Sequence, residues 1–299
     1  MEKIKHKPPK IIKERRELKK SRIQFWKIFC IEATLFFTTS FLAIICASEL
    51  NKMVTVRKAY LPKTSLQDFL FSFLFITFFV LIFVVFKKAD KFKELIYKGL
   101  FILAVFWGCV VILSLFLPVF GAVLITGILI TLWFKLSKIW VHDLLMVLSL
   151  AGTASFFGLG FSPPVVIALL FVFSAYDFIA VYKTKHMVAM AKDMIDKKVV
   201  LGFIIPKEIK YFKDKLAKVK MQGDFMILGG GDVVFPALLA VSVVPLSFWK
   251  AVIIVLFSLA GSFFTYWLFS RQDKKEPIPA LPPIAFFTLI GYFITLFIP

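Results

Sequence analysis

Long runs of apolar residues, separated by short charged or turn-forming segments, make up most of this chain. A hydrocarbon core about 30 Å thick needs about 20 helical residues to cross it, and a backbone inside it must satisfy its own hydrogen bonds. Runs of this length therefore predict membrane-spanning helices. We place nine of them, at residues 25–48, 66–86, 95–116, 119–134, 139–161, 163–182, 225–246, 248–269 and 282–298. The pattern predicts an all-α polytopic membrane protein.

The charged segments between the runs indicate how the chain is divided. Residues 1–24 form a basic arm that we expect in the cytoplasm, residues 25–182 hold the first six spans, and residues 225–299 hold the last three. Residues 183–224 form a cytoplasmic loop, the one sizeable segment predicted outside the membrane. The third and fourth runs meet at Leu117 and Pro118, and the fourth is short, so they predict two crossings or one broken hairpin. We count them as two crossings.

Two local sequence patterns lie within the loop at residues 183–224. Four apolar residues recur at helical spacing among lysines and predict an amphipathic helix on the inner membrane surface: Ile209, Phe212, Leu216 and Val219. The β-branched run at residues 199–205, which ends before Pro206, is too short to cross a membrane. It is typical of a short strand or of a loop that dips into the surface.

Lysine and arginine are unequally divided between the two predicted sides of the membrane. All but five of the 37 Lys and Arg residues lie towards the side of the N-terminus; the five are Lys52, Arg57, Lys58, Lys63 and Lys250. Short cytoplasmic loops are enriched in these residues. We therefore expect a multi-pass protein of the cell membrane with a cytoplasmic N-terminus and an external C-terminus.

Composition supports this class and argues against others. The chain is 60% hydrophobic, its mean hydropathy is +0.88, and its formal net charge is +19. In a soluble protein that charge would indicate nucleic acid, but lysines beside membrane spans act as topology signals and contact anionic lipids, so we discount nucleic acid as a partner. The three cysteines lie in apolar runs without CxxC spacing or a histidine cluster. We expect no metal and no cofactor.

Four acidic residues fall inside predicted spans: Glu32, Asp143, Asp177 and Asp232. A carboxylate at the centre of a span costs about 3 kcal/mol to insert, so each is a candidate for function. Asp177 and Asp232 come from neighbouring antiparallel spans and lie roughly 7 to 11 Å from the inner end at 1.5 Å per residue. We expect these two to face each other. Glu32, and Asp143 with His142, have no motif around them. We interpret Glu32 as a satisfied buried carboxylate, and His142 with Asp143 as a polar pair near the membrane interface.

A pair of facing aspartates suits the hydrolysis of a peptide bond. Two such carboxylates cannot easily both be charged, so the pair holds one proton. The ionised member can deprotonate a water while the protonated member polarises a peptide carbonyl, which is the chemistry of aspartic proteases. The same pair also suits proton transport, so this pattern alone leaves both functions open.

The residues around Asp232 favour peptide chemistry. Three glycines at 229–231 precede it and Pro236 follows it, a composition that weakens a helix at the membrane edge. An unwound start would admit water and leave backbone groups at 226–228 unpaired, so that an extended substrate can add to them as a β-strand. The prolines at 279 and 282 predict a rigid, irregular segment at the same membrane level.

Three short motifs thus occur in order along the chain. They are Tyr176 and Asp177 in the sixth span, Gly229, Gly230, Gly231 and Asp232 (a GxGD motif) in the seventh, and Pro279, Ala280 and Leu281 (PAL) before the ninth. Together with the span count and the long loop between the aspartates, they resemble the presenilin and signal peptide peptidase family of intramembrane aspartyl proteases. The resemblance covers the whole membrane region and fits a microbial, archaeal-type presenilin homologue.

The resemblance implies a presenilin-like fold of nine spans with Asp177 and Asp232 as the catalytic pair. It implies that Tyr176, the three glycines and the PAL segment shape the active site and the substrate path. The expected reaction is endoproteolysis, within the lipid bilayer, of transmembrane or signal-peptide-like substrates by water activated between the aspartates. Gly230 stands where the family usually has a bulky apolar residue. We expect an uncut, active chain without obligate subunits, and a homo-oligomer is compatible with this expectation.

Two other functions compete with proteolysis within the bilayer. An ion or proton channel or transporter would use the buried aspartates as an ion pathway, although the two related halves typical of transporters are not evident. A prepilin-type peptidase shares the GxGD chemistry. Such an enzyme has fewer spans and no PAL segment, and it cuts at the membrane surface.

Overall fold

A computed structural model describes residues 10–56, 67, 90–220, 224–272 and 276–298 of the chain. Nine α-helices lie in these ranges: α1 Lys10–Val56, α2 Asp90–Leu113, α3 Val119–Leu136, α4 Ile139–Gly160, α5 Pro163–Phe178, α6 His186–Asp196, α7 Gly230–Ser242, α8 Phe248–Arg271 and α9 Leu281–Leu296. Two strands, β1 Gly202–Pro206 and β2 Phe225–Gly229, pair antiparallel. The fold is predominantly helical, as the apolar runs predict, with one small sheet.

Eight of the nine predicted spans coincide with apolar helices. Among the described residues, five helical stretches are long and apolar enough to cross a membrane, and they lie in α1, α3, α4, α5 with its following turn, and α8. Shorter apolar stretches lie in α2, α7 and α9. The predicted span at 66–86 lies outside the described residues. α1 begins at Lys10, so part of the predicted basic arm continues the first helix.

Glycines allow α2 and α4 to pack backbone against backbone. A β-carbon added to Gly108 would overlap the carbonyl group of Ser149, and one added to Gly152 would overlap the carbonyl group of Gly108. The Ser149 hydroxyl also donates a hydrogen bond to the Ala104 carbonyl oxygen at 2.8 Å. Close approach through small residues is how helices associate in lipid, where apolar burial adds little. α2 and α4 therefore form a tightly joined pair.

The amphipathic helix predicted at 209–219 does not form. The chain makes two short 3-10 turns there, Ile209–Lys213 and Leu216–Lys218, and the α-helix of this loop lies earlier, as α6. The Leu216 N–H donates to the Ser137 carbonyl oxygen at 2.7 Å, which ties the second turn to the α3–α4 connection. A continuous helix would need that N–H for its own ladder. This long-range bond overrides the helical spacing of the apolar residues.

A short strand does form in the β-branched run, as one of the two predicted alternatives. All five residues of β1 are buried. β1 pairs with β2 in the register Gly202 with Gly229 through Pro206 with Phe225. Since α7 begins directly after β2, the sheet connects the loop to the first turn of the helix that carries Asp232.

Candidate active site

Asp177 lies in the last turn of α5, where the helix widens into a π-helical turn, Ile179–Lys183. The residue is 5% exposed, whereas its neighbours Tyr176 and Phe178 are 54% and 55% exposed. The helix thus directs the carboxylate inward and the two aromatic rings outward. Single π-helical turns inside or beside α-helices occur frequently at functional sites.

Asp232 is the third residue of α7 and is also buried. Its carboxylate lies against the backbone of Gly229, the last residue of β2. A β-carbon added to Gly229 would lie 2.9 Å from Oδ2 of Asp232. The first turn of a helix has unpaired N–H groups and a partial positive charge, which stabilise a carboxylate at this position.

The two aspartates lie on facing sides of α5 and α7. One turn from each aspartate, the rings of Phe173 and Phe235 stack with centroids 4.3 Å apart and an interplanar angle of 25°. Asp177 is close enough to Asp232 for a direct electrostatic interaction between the two carboxyl groups. The structure therefore brings together the two residues that the sequence predicts as a pair.

The PAL segment contacts Asp177 through its backbone. The Leu281 N–H donates a hydrogen bond to Oδ2 of Asp177 at 3.1 Å. Leu281 is the first residue of α9, and prolines occupy the next two positions, so those positions offer no N–H. The donor at the start of α9 is thus aimed at the carboxylate, and the positive end of the helix faces it. Pro279, two residues before Leu281, is also buried.

The glycines before Asp232 mark the transition from strand to helix. Gly229 ends β2, and Gly230 and Gly231 are the first two residues of α7, so the helix starts at the glycines and does not run through them from residue 225. A cavity of about 170 Å³ lies beside Gly230. A β-carbon on Gly230 would meet the Leu201 carbonyl oxygen at 3.2 Å, a tight contact.

The backbone groups at 226–228 are not all unpaired, which corrects the prediction made for them. They belong to β2 and pair with β1, and the Gly230 N–H donates to the Leu201 carbonyl oxygen at 3.1 Å. Phe225, Met226 and Ile227 are partly exposed, whereas every residue of β1 is buried. The exposed edge of the sheet is therefore the outer edge of β2, next to Asp232.

Comparison with known proteins identifies the class of this site. A family model described as signal-peptide peptidase, presenilin aspartyl protease matches residues 33–298. The chain belongs to this family. The matched range spans both aspartates and all three motifs, and membership of the family makes the chain an intramembrane aspartyl protease, a hydrolase of the membrane. The family gives no support to a channel or transporter.

Solved structures agree with the family in fold. A presenilin family intramembrane aspartate protease in space group C222 aligns with a TM-score of 0.55 and 21% identity, over 88% of this chain and 94% of that chain. A second such structure, in space group P2, aligns with a TM-score of 0.53 and 23% identity, over 88% and 95%. A search of curated proteins gives no match. The presenilin-like fold predicted from the motifs is confirmed.

Two other side chains considered from the sequence, Tyr176 and Glu32, lie near the aspartates. Tyr176 faces outward, and its part in shaping the substrate path stays a prediction. Glu32 of α1 accepts a hydrogen bond from the Ser262 hydroxyl of α8 at 2.7 Å and lies within electrostatic range of Asp232. Within the described ranges, His, Cys, Asp and Glu side chains form no group of three that could hold a metal ion.

Proposed function

We propose that Asp177 and Asp232 are the catalytic residues of this protease. The observation that carries the proposal is their position on facing sides of α5 and α7, both buried, each beside the positively polarised start of a helix. One carboxyl group holds a proton and the other is ionised. The ionised group deprotonates a water, and the protonated group donates to the carbonyl oxygen of the scissile peptide bond.

The backbone around the pair supports this chemistry. The Leu281 N–H fixes the orientation of the Asp177 carboxyl group and stabilises negative charge on it. Gly229 leaves room for the Asp232 carboxyl group, because any side chain at this position would press on Oδ2. Both contacts hold the catalytic oxygens without a further ionisable side chain. Preorganised groups of this kind lower the barrier because they need not rearrange during the reaction.

The substrate is a transmembrane or signal-peptide-like helix whose cleavage region unwinds and adds to the outer edge of β2. A helical peptide bond is shielded by its own hydrogen bonds, so an extended segment is required. β2 ends at Gly229, next to Asp232, and strand addition there brings the added segment alongside the catalytic pair. The exposed ring of Tyr176 and the PAL segment then border the substrate path.

We place the N-terminus in the cytoplasm and the C-terminus outside the cell. The unequal division of Lys and Arg supports this orientation. It puts the loop at 183–224, the sheet and both aspartates towards the cytoplasmic face. We further propose that the chain acts uncut and without obligate subunits, alone or as a homo-oligomer.

The test is cleavage of a single transmembrane peptide by purified protein in liposomes, followed by mass spectrometry of the products. Asp177→Asn and Asp232→Asn keep the shape of each side chain but cannot share a proton as a carboxylate pair, so each should reduce cleavage to background. Asp196→Asn, on the exposed end of α6, is the matched control and should cleave as the parent does. An inhibitor that mimics the tetrahedral intermediate should block the parent. Cleavage retained by both site variants would refute the assignment.

A further inference from the structure

His142 and Asp143 form a polar pair that the catalytic mechanism does not use. They lie in the first turns of α4, 0% and 2% exposed. Both side chains bind the backbone of β1: Nε2 of His142 lies 3.0 Å from the Gly202 carbonyl oxygen, and the Ile204 N–H donates to Oδ1 of Asp143 at 2.9 Å. The buried carboxyl group and the buried imidazole are thus both hydrogen-bonded to one strand.

These two bonds lie on the edge of β1 that faces away from β2. In a strand, the N–H and C=O of alternate residues point to the same edge. Gly202 and Ile204 point to α4, so Phe203 and Ile205 point to β2 and pair with Leu228 and Met226. His142 and Asp143 therefore occupy the place of a neighbouring strand, one as the donor and the other as the acceptor.

The surroundings of His142 fix its role as the donor. The indole N–H of Trp133 lies 3.3 Å from Nδ1 of His142, and because an indole N–H only donates, Nδ1 must accept. The ring proton of the neutral imidazole is then on Nε2, directed at the Gly202 carbonyl oxygen. The ring also stacks on Phe101, with centroids 5.3 Å apart and an interplanar angle of 7°. The imidazole is held in one orientation and one tautomer.

Only a few residues separate the two hydrogen bonds between α4 and β1 from the carboxylate of Asp232. Gly202 pairs with Gly229 in the sheet, and the Gly230 N–H donates to the Leu201 carbonyl oxygen. Gly229 in turn lies against the carboxylate of Asp232. A shift of β1 along α4 would therefore move β2 and the start of α7 together.

We propose that His142 and Asp143 are positioning residues that close the inner edge of β1, so that a substrate strand can add only to β2 and in one register relative to Asp232. This rests on the proposed function, in which the substrate adds to β2. A sheet edge with free N–H and C=O groups is a general template for strand addition. Occupying that edge with side chains of a rigid helix removes the unproductive alternative and fixes the sheet.

The experiment compares Asp143→Leu with Asp143→Asn. Leucine has the same number and branching of side-chain heavy atoms but cannot accept the Ile204 N–H, whereas the asparagine carbonyl oxygen can. Asp143 Oδ2 has no hydrogen-bond partner among the described residues, so the asparagine amide replaces no bond. Ser149→Ala, on the same helix, removes a hydrogen bond to α2 instead of β1 and is the matched control.

The readouts are kcat, KM and the cut positions in one transmembrane peptide, measured on monodisperse protein. For Asp143→Leu we expect kcat to fall on the order of 100-fold, as for a misplacement of about 1 Å, together with new cut positions. Asp143→Asn and Ser149→Ala should keep the cut positions of the parent and a kcat within about threefold of it. If Asp143→Leu is not recovered folded, His142→Phe, which keeps the stacked ring but loses the bond to Gly202, takes its place and should also add new cut positions.

Two outcomes would overturn the proposal. In one, the leucine variant, or the phenylalanine variant in its place, cleaves at the parent positions with the parent kcat. In the other, Asp143→Asn loses as much activity as Asp143→Leu without any change in cut positions, which would mean that a charge is needed and not an acceptor. Cleavage retained by both Asp177→Asn and Asp232→Asn would instead refute the proposed function, so the two failures are distinguishable.

Discussion

Gly229 offers the sharpest test of how the site is built, because the structure predicts a loss of activity without a loss of stability. In Gly229→Ala, the new β-carbon would lie 2.9 Å from Oδ2 of Asp232, where ordinary contacts begin at 3.4 Å. The oxygen must therefore move by about 0.5 Å. Since a misplacement of 1 Å costs on the order of 100-fold, we expect kcat to fall by about tenfold.

Stability should respond in the opposite direction. The backbone of Gly229, with φ −61° and ψ 140°, is open to any residue, and the atom that must move is the end of a side chain. Replacing glycine by alanine where the backbone permits it stabilises a protein by about 0.5 kcal/mol, because the unfolded chain loses freedom. The unfolding temperature of Gly229→Ala should equal or slightly exceed that of the parent.

The assay measures kcat for a transmembrane peptide alongside thermal unfolding. Gly231→Ala is the comparison, because its β-carbon meets only the ring of Phe235, at 3.4 Å, and we expect a decrease of no more than about twofold. If chain flexibility at the glycines is what matters, the two variants will lose activity equally. Equal losses, or an unchanged kcat in Gly229→Ala, would refute the steric reasoning.

Two further predictions concern the backbone contacts of α9 and of α2 with α4. Leu281→Pro removes the N–H that binds Asp177, whereas Leu281→Ala keeps it. Since a hydrogen bond to a charged group contributes about 1.5–3 kcal/mol, we expect kcat of Leu281→Pro to fall about 10- to 100-fold. The kcat of Leu281→Ala should fall far less. Gly152→Ala should lower the unfolding free energy by more than about 4 kcal/mol, because the methyl group would overlap Gly108. Gly127→Ala on α3, with no atom within 4 Å, should leave the unfolding temperature equal to or slightly above that of the parent.

The sequence could predict the parts of this protein that depend on local pattern. Lipid forces each apolar run into a helix, so run length locates the eight apolar helices that the structure describes, but not α6 in the loop. The sequence also predicts the aspartate pair, because adjacent antiparallel spans put Asp177 and Asp232 at one depth in the membrane. The PAL segment was predicted at that level, but its hydrogen bond from Leu281 to Asp177 required coordinates.

The remainder depends on contacts between residues far apart in the chain. Strand β1 has a local signal, but its pairing with β2 does not, and the helical spacing at 209–219 was misleading because a bond to Ser137 competes with the helix. The sequence predicts His142 and Asp143 as a pair near the membrane interface, whereas the structure buries both against β1. Their partners, Gly202 and Ile204, lie about 60 residues away along the chain, which no periodicity reveals.

The sheet also bears on what keeps the two halves of the protease together. β1 is bound to α4, and β2 is bound to β1, so the start of α7 is attached to the first six spans by non-covalent contacts as well as by the peptide chain. The stretch from Lys207 to Asp224 leaves the sheet and returns to it, with its two ends joined by a hydrogen bond. Because these contacts hold both sides of the excursion, we expect two fragments divided between Lys207 and Asp224 still to bring Asp177 opposite Asp232.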